Sequence, residues 1–268
     1  MIQNLLVRLI HFGPKTKRWF WKFWYNFFAK KAYTHDFFFM NYGYSDEILS
    51  IKTDSKEEGE RYPAQLYHHT ASQENIAGKK VLEVGSGRGG GASYVSRYLD
   101  PKSVVGIDIS KNAVELCSST HQYSNLSFCV GDSEKAPFKD RSFDIVLNVE
   151  SSHCYGNIPL FLNEVKRVLK PGGFFLWADF RKTKEMPILF NSFLESGLVK
   201  IREKNITDFV INALKKMSSE RKEKIKKHVP KFIQPVFMSY AGIKGSDVYN
   251  SFIQNKLIYK SATFKKPE

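Results

Sequence analysis

The chain's chemistry-bearing residues gather around one glycine-rich turn. Val81 to Gly91 reads VLEVGSGRGGG, an apolar run that passes through Glu83 and turns at once through Gly85, Ser86, Gly87 and Gly89. Such a turn lets bare backbone approach a nucleotide-like ligand, because glycine has no Cβ to block it. Asp108 closes a second apolar run, VVGIDIS, with Ile109 after it. It stands roughly 20 residues past the glycines, where an acid accepts both hydroxyls of a ribose. Asp132 and Ser133 follow a third run, and a fourth, LNVESSHCY, carries Asn148 and His153. Gly85, Gly87 and Gly90 also satisfy GxGxxG, so a dinucleotide-dependent dehydrogenase is one reading of the turn alone. The phosphate loop GxxxxGK[ST] is absent, which argues against a nucleoside triphosphatase.

The elements that must hold these residues alternate in type. Strands are expected at Val81–Val84, Val104–Ile107, Leu126–Val130, Ile145–Val149 and Phe174–Ala178. Helices are expected at Ala92–Leu99, at Lys111–Ser119 behind the cap residue Ser110, and at Ile158–Leu169, which should stop at Pro171-Gly172-Gly173. This is the rhythm of a parallel, doubly wound α/β sheet. Further strands are expected at 197–206 and 257–264, with a basic helical stretch at 207–228 between them. Upstream, Ile2, Leu5, Leu6 and Leu9 recur at helical spacing, and an aromatic stripe with interleaved Arg and Lys follows Gly13-Pro14. Two short basic amphipathic helices suit either a membrane surface or the roof of a lipophilic pocket.

These residues, in order, resemble class I S-adenosylmethionine-dependent methyltransferases. Glu83-x-Gly85-x-Gly87-x-Gly89 is similar to their first motif, and Gly131-Asp132 followed by Ala136-Pro137-Phe138 to their adenine-binding segment. Ser142 to Val146 and Leu169-Lys170-Pro171-Gly172-Gly173 resemble the fourth strand and the turn into the fifth. GGGASY, LNVESSHCY and LYHHTA are similar to segments of the phthiotriol/phenolphthiotriol dimycocerosates methyltransferases, which methylate a hydroxyl on a long lipid. The resemblance implies a Rossmann-like, mostly parallel seven-stranded sheet with a helical N-terminal segment and a helical cap insertion. It implies S-adenosyl-L-methionine as cofactor, with Asp132 accepting from the adenine amino group and Ser133 beside the ring. Glu83, Gly85, Ser86, Gly87, Gly89, Asp108, Ile109 and Asn148 complete the expected cofactor set. Asn41-Tyr42-Gly43-Tyr44 resembles an aromatic lid, with Tyr44 over the sulfonium. His153 after the fourth strand and Asp179 at the end of the fifth are the expected base and its orienter. The implied organisation is a lid segment at 1–45, a core at 46–206, a cap at 207–245, and a last helix and strand at 246–268.

The bulk numbers agree with a large single unit. The chain has 268 residues and 42% hydrophobic content, enough for a real core. Its net charge is +14. Residues 1–35 hold seven Lys/Arg and no acid, and residues 215–231 hold eight Lys/Arg against Glu220 and Glu223. Anionic partners follow from this, and residues 1–31 are the expected contact with an anionic membrane surface. Three cysteines without a CxxC pair read as free thiols in a reducing, cytoplasmic setting, and no metal-ligand spacing stands out. The expected activity is methyl transfer to a hydroxyl of a lipid, polyketide or terpenoid. A sterol-type C-methyltransferase is the alternative, ahead of a nucleic-acid methyltransferase, which lacks its (D/N)PPY segment, and of a dehydrogenase. No nucleic-acid partner is expected.

Overall fold

The computed structural model describes residues 38–54, 58–231 and 234–268. The N-terminal stripes read from the sequence, including residues 1–31, lie outside the described residues. Seven strands form one sheet: β1 (Lys80–Val84), β2 (Ser103–Asp108), β3 (Leu126–Val130), β4 (Phe143–Val149), β5 (Leu169–Lys182), β6 (Val199–Asn205) and β7 (Leu257–Lys265). Their order is β3-β2-β1-β4-β5-β7-β6. The first five run parallel, and β7 pairs antiparallel with both β5 and β6. Helices α1 (Arg61–Ala71), α2 (Gly90–Tyr98), α3 (Lys111–Thr120), α4 (Ile158–Val168) and α5 (Met186–Glu195) precede α6 (Thr207–His228), α7 (Gln234–Tyr240) and α8 (Asp247–Ile253). The chain thus has the Rossmann-like, mostly parallel seven-stranded fold that its sequence implied.

Strand residues alternate between two apolar layers, as the twofold period of a strand requires. Val81, Val104, Ile145, Leu147, Leu176 and Ala178 pack with α1, α2 and α6. Leu82, Ile107, Val146, Phe175 and Trp177 pack with α4 and α5 on the other side. Strands covered on both faces read as nearly unbroken apolar runs, which is why β1, β2 and β4 were visible in the sequence; β3, at the sheet edge, is partly exposed. Ser110 caps α3 by accepting from the Ala113 N–H at 3.2 Å, and Asn157 caps α4 by accepting from Leu160 N–H at 3.0 Å.

Two expectations need correction. Pro171-Gly172-Gly173 does not form a free turn between helix and strand. Helix α4 ends at Val168, β5 begins at Leu169, and the three residues form an irregularity where pairing jumps from Phe143↔Leu169 to Ile145↔Phe174. Proline has no N–H to give a ladder and fits where pairing is interrupted. Gly172 takes φ +72°, open to glycine at little cost. Nor does β5 end at Ala178. Its pairing with β4 stops there, but antiparallel pairing with β7 carries it on to Lys182.

The helices after β6 share the core of the sheet. Val210 and Leu214 of α6, and Tyr249 and Phe252 of α8, belong to the same apolar cluster as Val81 and Leu147. Arg221 of α6 ties separate segments together, donating to Ala241 O at 2.8 Å and to Asn41 O at 2.6 Å. Among the described residues, no helix is long and apolar enough to cross a membrane. Arg221→Met should leave two carbonyls short of a donor, at a cost of about 2 kcal/mol. Scanning calorimetry should then show Tm lower by roughly 4–8 °C; an unchanged Tm would mean that Arg221 is not a strut.

Candidate active site

The strand β1 ends in a turn of three left-handed glycines, Gly85, Gly87 and Gly89, at φ +80°, +53° and +79°. Gly85 N–H and Ser86 N–H both donate to Ile107 O at 2.9 Å, which pins the turn to the end of β2. A Cβ on Gly85 would lie 1.8 Å from Ser151 Oγ, so no larger residue fits there. Gly87 N–H donates to Asp108 Oδ2 at 3.0 Å and Ser110 N–H to Oδ1 at 2.9 Å. Burial raises the Asp108 pKa, opposed by these backbone donors.

An open cleft lies along the carboxyl ends of the strands. Gly85, Ser86 and Gly87 line it from the turn, Asp108 and Ile109 from the end of β2, and Asp132 and Ser133 from beyond β3. Its charged wall is one-sided. Asp108, Asp132, Glu134 and Glu150 line it, and among the described lining residues there is no Lys, Arg or His. In a chain of net charge +14 that is a local inversion, suited to a cation and unsuited to a pyrophosphate. Ser86 Oγ is buried and finds no partner among the described residues, as expected of a hydroxyl awaiting a ligand. The residues fit S-adenosylmethionine on these grounds: glycine cradle, diol-binding acid, unpaired donor and acidic wall.

Four of the expected cofactor residues stand off the cleft. Glu83 is buried beneath it; burial raises its carboxyl to about 8, and the nearby Tyr67 hydroxyl and Ala92 N–H close no full hydrogen bond with it. Asn148 donates to Val84 O at 2.8 Å and to the Tyr155 hydroxyl at 2.9 Å, so it holds Tyr155, which does line the cleft. Gly89 caps α2, and its missing Cβ faces His121, Cys117 and Phe128. Tyr44 is stacked between His69 and Phe209, at ring separations of 4.4 and 4.7 Å, with its hydroxyl on Asp46. The lid wall is supplied instead by Phe38, Phe39 and Met40, which the aromatic pattern of 41–44 did not single out.

His153 and Asp179 meet as expected. His153 sits in a one-turn 3₁₀ segment, Ser152–Cys154, between Ser151 and Cys154 of the cleft wall. Its Nδ1 lies 2.9 Å from Asp179 Oδ1. Asp179 is fully buried and also accepts from His153 N–H, the Ser152 hydroxyl and Phe180 N–H, at 2.9, 2.7 and 2.8 Å, with Arg181 at 3.1 Å. Burial alone would raise its pKa, but His153 and Arg181 outweigh burial and hold it well below the carboxylate range. Burial likewise opposes charging of His153, yet Cys154 and Asp179 outweigh it and raise the ring's pKa. The Nδ1–H donated to Asp179 leaves Nε2 as the nitrogen that can take a proton. The His153 ring lies against Phe180, at 4.6 Å.

Glu150, inside the segment LNVESSHCY, was given no role in the sequence. It lines the cleft at φ +48°, a conformation costing a non-glycine residue about 1 kcal/mol or more. Its N–H donates to Ala178 O at 2.7 Å, and its Oε2 accepts from Tyr42 N–H at 2.8 Å and the Tyr259 hydroxyl at 3.1 Å. These bonds fix the strained backbone.

A family model described as "Methyltransferase domain" matches residues 76–240. A phthiotriol/phenolphthiotriol dimycocerosates methyltransferase of Mycobacterium leprae is 35% identical over 247 residues, 92% of each chain. A fatty-acid O-methyltransferase of Mycolicibacterium smegmatis is 34% identical over 244 residues, covering 91% of this chain and 88% of the relative. Among solved structures, geranyl diphosphate C-methyltransferase from Streptomyces coelicolor, in complex with S-adenosyl-L-homocysteine, has a TM-score of 0.63 at 13% identity, covering 91% of this chain and 97% of its own. The glycine cradle, the acidic cleft and these matches have one reading: the chain belongs to the class I S-adenosylmethionine-dependent methyltransferases, in the group of the phthiotriol/phenolphthiotriol dimycocerosates methyltransferases.

Proposed function

We propose that this methyltransferase acts on a hydroxyl of a lipophilic small molecule, with His153 as general base and Asp179 as its orienter. The observation that carries the reading is the 2.9 Å pairing of His153 Nδ1 with the buried Asp179 carboxylate; neither residue lines the cleft itself, but His153 stands in the turn whose Ser151 and Cys154 do. A carboxylate acceptor is already ionised at neutral pH and needs no base. An alcohol does, and a positioned imidazole contributes roughly 10²–10⁴-fold. Relatives named for phthiotriol dimycocerosates and for fatty acids support an apolar acceptor.

S-adenosylmethionine supplies an electrophilic methyl group on a sulfonium. The chain's own groups bind, orient and move one proton. Asp108 keeps lone pairs beyond those used by Gly87 and Ser110, and these are assigned to the ribose hydroxyls. Asp132 and Ser133 are assigned to the adenine. His153 Nε2 takes the acceptor's proton, and Asp179 holds the ring's orientation and stabilises its cationic form. The stretch 207–245 is assigned as the cap that chooses the acceptor; Tyr42 of the lid donates to Tyr240 O within it at 3.0 Å. Contact with an anionic membrane is assigned to residues 1–31, whose neighbourhood to residue 35 holds seven Lys/Arg and no acid.

Gly85→Ala should cut S-adenosylhomocysteine affinity by roughly 10²-fold or more in calorimetric titration, since the new Cβ displaces Ser151; retained affinity would remove the turn from the binding site. With labelled donor and a lipophilic alcohol, kcat should climb with pH, because Nε2 must be unprotonated and its pKa is raised. Asp179→Asn removes a negative charge that stabilises the imidazolium, so the His153 pKa falls and the limb moves to lower pH by about one unit or more. Its plateau should fall by roughly 10²-fold, and a limb that stays in place would take the base role from His153. Deletion of residues 1–31 should weaken sedimentation with anionic vesicles at low salt and leave S-adenosylhomocysteine binding intact; equal vesicle binding would discard the membrane assignment.

A further inference from the structure

We propose that Glu150 is the carboxylate that receives the sulfonium charge of the cofactor, with one oxygen held by the protein and the other presented to the cleft. The inference rests on the cofactor reading given above. Both donors that reach Glu150, Tyr42 N–H and the Tyr259 hydroxyl, go to Oε2. No described residue donates to Oε1, although the residue lines the cleft. A carboxylate fixed through one oxygen cannot swing away, and its other oxygen is pre-positioned for a ligand.

The order of the strands says which part of the ligand meets it. The cleft's acids follow the sheet: Asp132 beyond β3, Asp108 at β2, then the glycine turn of β1, then Glu150 directly after β4. With adenine and ribose assigned to β3 and β2, the opposite end of the cofactor falls at β1 and β4. His153 and Asp179 follow on the β4–β5 side. Glu150 therefore stands between the ribose acid and the base pair, where the methyl-bearing sulfur must lie for a proton to reach His153.

The backbone points the same way. Glu150 is held at φ +48° by its N–H bond to Ala178 O and by the Tyr42 N–H and Tyr259 hydroxyl that donate to its carboxylate. Strain of this kind persists where it aims a side chain. Burial raises the Glu150 carboxyl to about 8, opposed by Tyr42 N–H and His153 and assisted by Asp179, while Tyr259 donates to it. A cation bound at Oε1 would favour ionisation and release a proton near neutral pH. Arg221 lies close enough to feel the Glu150 charge, but its two hydrogen bonds go to Ala241 O and Asn41 O rather than to the Glu150 carboxylate.

The test compares S-adenosylmethionine, which carries the sulfonium, with S-adenosylhomocysteine, which does not. Isothermal titration of the full chain and of Glu150→Gln should show the ratio of the two dissociation constants rising about tenfold or more toward weaker S-adenosylmethionine binding, with S-adenosylhomocysteine affinity held within about twofold. Titrations at pH 7 in two buffers of different ionisation enthalpy should show proton release on S-adenosylmethionine binding that shrinks in the variant. Glu150→Asp keeps the charge and should hold the ratio closer to the parent's. Equal weakening of both ligands in Glu150→Gln, or no change in either, overturns the assignment. Failure of the parent chain to bind either ligand would instead overturn the cofactor reading of the cleft.

Discussion

The Asp179 carboxylate has no contact with solvent, and it collects four hydrogen bonds and an ion pair. A buried charge costs several kcal/mol in lost hydration unless its lone pairs are met. Here they are met by residues of two different segments: His153 and Ser152 from the turn after β4, Phe180 and Arg181 from β5 itself. The charge thus dictates the shape of that turn. Ser152 is fixed in its role by two further donors, Trp177 Nε1 and Arg181, which leave its own proton for Asp179. The carboxylate can occupy this spot only because β5 outruns β4, a consequence of antiparallel pairing with β7.

From that turn the constraint passes to the elements above the cleft. Glu150 is tied to β5 through Ala178 O and to the lid through Tyr42 N–H. At the far end of the same lid, Glu60 accepts from Phe38 N–H at 2.6 Å. Burial raises the Glu60 carboxyl to about 7, opposed by these backbone donors. Arg221 adds the third tie, from the lid at Asn41 O to Ala241 O near α7. Segment 38–44 is therefore held by these hydrogen bonds together with burial of Phe39 and Tyr44 in the main apolar cluster.

These physical distinctions also decide what was legible in the sequence. Strands β1 to β4 and the cap Ser110 depend on local pattern and were readable; the Asn157 cap was not singled out. The run of β5 past Ala178 depends on β7, some eighty residues later, and was not. Gly85 to Gly87, Asp108 and Ile109 could be placed because strand ends lie at the cleft, and Asp132 and Ser133 through their resemblance to the methyltransferase adenine-binding segment. Glu83, Asn148 and Tyr44 occupy motif positions, yet which way each faces is settled by packing partners: Tyr67, Tyr155, and the His69 and Phe209 rings. Glu150 escaped notice for the reverse reason. Nothing in LNVESSHCY shows that one residue takes a left-handed conformation, and that conformation is part of what brings its carboxyl to the cleft.

The charge distribution links binding to turnover. Basic residues dominate the chain, while the cleft presents four acids and, among the described lining residues, no basic side chain. Surface lysines more than about 8 Å of water away are screened from the cleft at physiological salt. The acids inside are less screened, because protein replaces water around them. A cleft of this sign favours a cationic cofactor over its neutral product at the sulfur. On the Glu150 assignment proposed above, methyl transfer would remove that positive charge and leave the acid without its partner as the reaction completes. Its carboxyl then regains the tendency to protonate that burial imposes.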